Sequence, residues 1–310
     1  MKVTVVGAGH VGATTAQRII EGNIADVYLV DIVEGLAAGK ALDLAQAAPL
    51  VGHSRRIEGG TDYAPAAGSD VVVITAGIAR KPGMSRDDLL ATNGKIVSGI
   101  VEAVSANAPD AIIIMVTNPL DVTTHIAMRV SGLPRERVMG MAGALDTARF
   151  RCFIGMELGC AARDVQAMVL GGHGDSMVPL VSSATVGGVL IAQLIEAERL
   201  EEIVQRTRDG GAEIVALLKQ GSAFYAPAAG VVDMVAAILR DEGRVLPASV
   251  LLRGEFGIEY TFVGVPVRLD AGGVDEIIEC ELSAGELAAL QASAAHVRET
   301  VATWERLKDA

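Results

Sequence analysis

The sequence predicts an α/β protein: a doubly wound parallel sheet followed by a mixed α+β second domain. Three observations predict it. Short β-branched runs alternate with helix-length stretches over residues 1–143, a glycine-rich turn follows the first run, and beyond residue 143 long helices give way to closely spaced strands. Continuous apolar strands separated by helices make a parallel sheet covered on both faces, with right-handed crossovers.

The expected strands of the first half are 3–6, 27–30, 71–75 and 112–116, with a further one at 138–141, each a short run rich in Val, Ile or Met. Such runs suit a fully buried strand. The stretches 11–21, 35–47 and 87–107 are long enough for the intervening helices. In the second half, 145–158 reads as a helix, 165–170 as a strand, and 198–219 and 222–240 as long helices. The runs 250–252, 259–263, 267–269 and 277–282 then suggest an antiparallel set, closed by a helix over 284–307. No Pro/Ser-rich linker separates the halves, so the division into 1–143 and 144–310 is expected to be a packed junction. There is no internal repeat.

Composition narrows the function classes. The chain has 310 residues, half of them hydrophobic, with a net charge of −12. It is long enough to bury substantial cores, and an acidic surface argues against nucleic acid, whose recognition needs cations that displace phosphate counterions. A small anionic substrate would need a local arginine cluster to overcome that field. Cys152, Cys160 and Cys280 fall in no metal-binding spacing and read as buried free thiols, so no metal is expected. Residues 1–12 lack the succession of a signal peptide and no stretch has the length of a membrane span, which together imply a soluble cytoplasmic protein with no membrane partner.

The first strand runs into Gly7-Ala8-Gly9-His10-Val11-Gly12, and Asp31 follows nineteen residues beyond Gly12, after the second strand. A lone GxGxxG is weak, and these could be turn glycines with a loop aspartate. Strand, glycine turn, helix and distal acid in this order form the dinucleotide fingerprint of a Rossmann-type domain. Gly7 permits the tight turn, Gly9 the approach of a pyrophosphate, and Gly12 close packing of helix on strand. Asp31 would accept from the ribose hydroxyls and repel a 2′-phosphate, and Ile32 and Val33 supply no cation, so NAD is favoured over NADP.

The chemistry is concentrated elsewhere, in Gly171-Gly172-His173-Gly174-Asp175 and Asp146-Thr147-Ala148-Arg149. Imidazole is the side chain whose ordinary pKa lies nearest neutrality, so His173 suits a proton acceptor. Asp146 would fix its tautomer, and Arg149, three residues on, would share a helix face with Asp146 and grip a carboxylate bidentately. Singly, each reads equally well as a loop histidine or a surface ion pair. Asn118, after the strand 112–116, could bond a nicotinamide ribose or reacting oxygen, or simply make a turn before Pro119. Residues 77–89 carry Arg80, Lys81 and Arg86 on a Pro- and Gly-containing loop that ends in a helix start at Ser85.

The chain resembles the lactate/malate dehydrogenase family, most closely its lactate-dehydrogenase-like malate dehydrogenases. The resemblance spans nearly the whole chain through GAGHVG from Gly7, VDI from Val30, AGIARKPGMSRDDLL from Ala76, VTNPLD from Val116, LDTARF from Leu145, GGHGDSMVPL from Gly171 and GSAFYAPA from Gly221. It implies a Rossmann-type NAD-binding domain and a catalytic domain, with His173 and Asp146 as the proton relay, Arg149 on the C1 carboxylate and Arg86 polarising the reacting carbonyl. Asn93, Val116 and Asn118 would join Gly7, Gly9, Gly12 and Asp31 around NAD, with Asn118 also beside substrate. At the position of Arg80 the family's lactate dehydrogenases typically carry glutamine and its malate dehydrogenases arginine, which implies a dicarboxylate, malate or oxaloacetate, as the small-molecule partner. Other readings are a lactate or other 2-hydroxyacid dehydrogenase and, in another class, a non-catalytic NAD-binding regulator or an NAD-dependent glycosidase. The family's members are homodimers or homotetramers, and either is expected here.

Overall fold

The computed structural model describes residues 1–79 and 83–308. The first half lays down β1 (Lys2–Val6), α1 (His10–Glu21), β2 (Asp26–Val30), α2 (Leu36–Val51), β3 (Ile57–Gly60), β4 (Val71–Ile74), α3 (Arg86–Asn107), β5 (Ile112–Met115), α4 (Leu120–Ser131) and β6 (Val138–Gly140). All six strands are parallel, in the order 3-2-1-4-5-6. This is the doubly wound order that puts ligands at the carboxyl ends of the strands.

Successive residues of a strand point to opposite faces, and the two cores follow from that alternation. Val3, Val5, Val71 and Val73 pack with Ile19 and Ile20 of α1. Their neighbours Val72, Ile74, Ile113 and Met115 pack instead with Leu90 and Val97 of α3 and Ile126 of α4. Because both faces are covered, the strands read as continuous apolar runs and were visible in the sequence. The exception is β3, Ile-Glu-Gly-Gly, which the sequence did not suggest. A Cβ on Gly59 would come 2.4 Å from the carbonyl oxygen of Ala37, so a side chain there is incompatible with the close seating of α2.

The second half continues with α5 (Gly143–Leu158), the short strands β7 (Val165–Gln166), β8 (Val169–Leu170), β9 (Val178–Pro179), β10 (Thr185–Val186) and β11 (Val189–Leu190), then α6 (Ala197–Leu218) and α7 (Tyr225–Leu239). It ends with β12 (Arg244–Arg253), β13 (Glu259–Asp270), β14 (Gly273–Ile277) and α8 (Ala284–Leu307). The strands β12 to β14 are antiparallel to one another and extend the parallel sheet, through the pairing of Ser249 with Gly140 of β6, into nine strands. Three expectations change. The run 165–170 is two short strands, 259–269 is one strand instead of two, and 278–282 lies beyond the last strand. Gly264 and Pro266 broke the apolar pattern of β13, yet Pro266 sits opposite Pro247 in the ladder and Gly264 has a separate task at the site. The three thiols are unpaired and half-buried, not buried.

Among the described residues no helix is long and apolar enough to cross a membrane.

Candidate active site

The carboxyl edge of the parallel strands carries a row of turns. Gly7 follows β1, Asp31 β2, Thr75 to Gly77 β4, and Thr117 and Asn118 β5. At the first of these the three glycines do three different things. Gly7 has φ +102°, a conformation that disfavours a side chain, and its Cβ would lie 2.7 Å from Thr75 Oγ1. A Cβ on Gly12 would be 1.8 Å from the carbonyl oxygen of Gly7, so helix and turn are in direct backbone contact. Among the described residues nothing lies within 4 Å of where a Gly9 Cβ would stand. Gly9 caps α1 without any side-chain acceptor, which leaves the first N–H groups of the helix facing that open space, an arrangement that favours an anion.

Asp31 accepts from Ala8 N at 2.7 Å and Val33 N at 3.0 Å, which ties the ends of β1 and β2 together. Each carboxylate oxygen keeps a lone pair for a further donor. Open helix terminus, absent side chain at Gly9 and a fixed acid beyond it fit a dinucleotide. Val116 is half-buried and Asn118 exposed at the end of β5. Asn93 is buried, and its amide is committed to the protein: Oδ1 accepts from Ile78 N at 2.8 Å, and Nδ2 donates to Ile78 O at 3.1 Å and Asn118 O at 2.7 Å. It braces Ile78 against the Asn118 turn.

The proton-transfer candidates meet as the sequence suggested. One turn of α5 presents both Asp146 and Arg149, with Arg149 Nη1 donating to Asp146 Oδ1 at 3.0 Å. The other oxygen of Asp146 lies 2.8 Å from His173 Nδ1. Asp146 is 2 % exposed at its side chain, Arg149 14 % and His173 17 %, so this row of three is shielded from water over most of its length. Burial by itself pushes the His173 imidazole down, but the charge and hydrogen bond of Asp146 and the charge of Asp121 outweigh it, against partial opposition from Arg149. The net effect holds His173 above its ordinary 6.5.

His173 opens onto a cavity of about 770 Å³, whose walls include Arg86, Asn118, Asp175, His296 and Thr300. Arg86 is the first residue of α3, placed there by a capping box in which Ser85 Oγ accepts from Asp88 N and Asp88 Oδ2 from Ser85 N, both at 3.0 Å. Its guanidinium is 3.7 Å from the carboxylate of Asp175, and both side chains are exposed. Arg80 lies outside the described residues. The glycine turn and Asp31 are not part of this cavity wall; they occupy the other end of the same sheet edge.

Sequence reasoning missed the framework behind His173. The N–H groups of Gly171, Gly172 and His173 go to three different elements: to Gly264 O of β13 at 2.8 Å, Ser293 Oγ of α8 at 2.8 Å and Asp121 Oδ2 of α4 at 2.9 Å. The second oxygen of Asp121 accepts from Ser249 Oγ at 2.6 Å. Burial holds this carboxyl above the usual carboxylate range, only partly offset by the Ser249 hydroxyl and the His173 N–H. Asp121 stood inside VTNPLD without a role assigned. Ser249 and Ser293 carry no local signal, being 128 and 121 residues from their partners.

This architecture agrees with family-wide sequence patterns. Residues 1–140 match the model of the lactate/malate dehydrogenase NAD binding domain, and 143–307 that of the lactate/malate dehydrogenase alpha/beta C-terminal domain. The chain belongs to the lactate/malate dehydrogenase family. It is 58 % identical to a malate dehydrogenase of Thermomicrobium roseum over 306 residues, 99 % of both chains. The structure of Salinibacter ruber malate dehydrogenase superposes with a TM-score of 0.96 at 50 % identity, covering 100 % of this chain and 99 % of that one. A lactate dehydrogenase from Cryptosporidium parvum, solved with lactic acid and β-nicotinamide adenine dinucleotide, reaches 0.95 at 41 % identity over 98 % of each chain. Malate and lactate dehydrogenases thus share this backbone almost equally, and the fold does not separate the two activities.

Proposed function

We propose that the chain is an NAD-dependent malate dehydrogenase, interconverting (S)-malate and oxaloacetate. The observation that carries this reading is the 2.8 Å contact of His173 Nδ1 with a buried Asp146, at the wall of a cavity, in a chain 58 % identical to a malate dehydrogenase along its length. Bound NAD supplies the acceptor for the hydride that leaves C2 of malate.

The chain's own residues handle the proton and the charges. With Nδ1–H directed at Asp146, the free Nε2 of His173 takes the hydroxyl proton, and Asp146 stabilises the imidazolium that results. In the reverse direction protonated His173 returns it to the carbonyl oxygen. Arg149 holds the C1 carboxylate and Arg86, swinging from Asp175, polarises the carbonyl. Asn118 serves both nicotinamide and substrate, Val116 lines the cofactor's path, Asn93 acts from behind by holding the Asn118 carbonyl, and Gly7, Gly9, Gly12 and Asp31 hold the dinucleotide. Arg80 pairs with the second carboxylate, which pyruvate lacks.

The division of labour follows residues 1–143 and 144–310. A cytoplasmic location accords with the free thiols. A homodimer or homotetramer accords with Leu42, Leu50 and Val51, exposed apolar side chains of α2, and sedimentation measures the state. The test of function is NADH oxidation with oxaloacetate and with pyruvate. Oxaloacetate is expected to give the higher kcat/KM, and a preference for pyruvate would replace this reading with lactate dehydrogenase, the alternative that the Cryptosporidium structure keeps in view.

A further inference from the structure

We propose that Ser293 on the last helix is a positioning residue for His173, and that α8 fixes the separation between the proton-transfer loop and the helix that carries Arg86. The inference rests on the malate dehydrogenase reading. Its starting point is the composition of the loop. Gly171, Gly172 and Gly174 surround His173, and a glycine-rich backbone has more freedom to lose than any other. A base that must stand within hydrogen-bond reach of a hydroxyl proton needs that freedom removed.

The loop is held by the three successive N–H bonds described above. Two of them engage a strand carbonyl and a carboxylate, and the middle one depends on the single hydroxyl of Ser293, whose residue is 2 % exposed. Ser293 accepts from Gly172 N and donates its hydrogen to Ser176 Oγ at 2.9 Å, so it closes the loop from both sides of His173 with all its hydrogen fixed. The contact is tight. Cβ atoms on Gly171 and Gly172 would come 3.1 Å from Ser293 Oγ and from Val297 Cγ2, the latter one turn further along α8.

The same helix reaches α3 at its other end. Trp304, buried, lies over Gly94, where a Cβ would be 2.2 Å from the indole ring. Ser293 and Trp304 are about 17 Å apart along a helix rising 1.5 Å per residue. Two turns before Gly94, α3 begins with Arg86. One rigid element therefore touches the backbone beside the proton acceptor and the helix behind the carbonyl-polarising cation. Between those contacts His296 and Thr300 line the cavity.

The experiment is steady-state and isotope kinetics on Ser293→Ala, with Ser176→Ala as a milder second variant. Displacement of a catalytic group by about 1 Å can cost on the order of 100-fold. Ser293→Ala is expected to lower kcat about 10- to 100-fold with oxaloacetate KM and NADH Kd within about threefold. The isotope effect from deuterated NADH should rise, because the chemical step becomes slower than product release. Ser176→Ala keeps the Gly172 bond and should lower kcat by a smaller factor with the same split; it decides the matter if Ser293→Ala yields no folded protein. A folded Ser293→Ala with unchanged kcat and isotope effect overturns the proposal, as do losses shared by kcat, KM and Kd. Wild-type protein inactive on oxaloacetate would instead sink the functional reading itself.

Discussion

Asp146 and His173, 27 residues apart in the chain, meet at 2.8 Å between Oδ2 and Nδ1, while the other oxygen of Asp146 is held at 3.0 Å by Arg149. The carboxylate is thus oriented from one side by a cation and directs the imidazole on the other. Among the described residues the His173 ring is engaged through Nδ1, on the side away from where Nε2 would meet a substrate.

Replacing that carboxylate by its amide isolates the effect. In Asp146→Asn the side chain keeps its shape but can donate to Nδ1, which selects the wrong tautomer and removes the charge that favours imidazolium. Turnover is expected to fall on the order of 10³-fold or more, with NADH binding retained. Fluorescence titration of NADH alongside steady-state rates checks both halves, and a loss below tenfold would remove Asp146 from the relay.

The upward displacement of His173 fixes the direction of two pH dependences. Malate oxidation needs the neutral imidazole, so its kcat/KM should rise with pH through an apparent pKa above 6.5, and oxaloacetate reduction should fall over the same interval. Stability follows with a definite sign. Because folding raises the pKa, protonated His173 stabilises the fold; the contribution is complete below the unfolded value near 6.5 and disappears as pH climbs through the folded one. The Tm difference between wild type and His173→Gln should therefore shrink with rising pH across that window. A difference constant with pH would mean that His173 titrates alike in both states.

The glycines of the first turn separate binding from stability. Gly9→Ala places a methyl in open space, so Tm should stay within about 2 °C while NADH affinity falls at least roughly tenfold from the blocked approach. Gly12→Ala drives a methyl to 1.8 Å from a backbone oxygen and should lower both. Equal Tm losses in the two variants would show that the open space at Gly9 is not what the cofactor uses.

Arg80 lies outside the described residues, and its expected effect comes from charge alone. A guanidinium facing a second carboxylate contributes about 1.5 to 3 kcal/mol, and stands unpaired over a methyl. Arg80→Gln should therefore move the ratio of kcat/KM for oxaloacetate over pyruvate by roughly 10- to 100-fold toward pyruvate. An unchanged ratio would place the specificity on other residues.

Much of the fold could be read along the chain because a parallel sheet buried on both faces writes itself as uninterrupted apolar runs, as in Val71 to Ile74 and Ile112 to Met115. The reading faltered where a backbone had to come close to another. Gly59 in β3 and Gly264 in β13 interrupt the pattern because a helix carbonyl and a loop carbonyl occupy the space of their side chains. Glycine in a strand carries no periodic signal, and its cause lies in a distant segment.

The sequence by itself determined the candidates: His173, Asp146 and Arg149 stand out by residue type once the glycine turn and Asp31 precede them at dinucleotide spacing, since a strand, a turn and a helix are local structures. Only the tertiary structure decided how the histidine is held. Gly264, Ser293 and Asp121 reach three consecutive N–H groups from β13, α8 and α4, and Ser249 joins them through Asp121. A hydrogen bond across 52 to 128 residues leaves no trace in either partner's neighbourhood, because what it requires is a position in space and not a pattern along the chain.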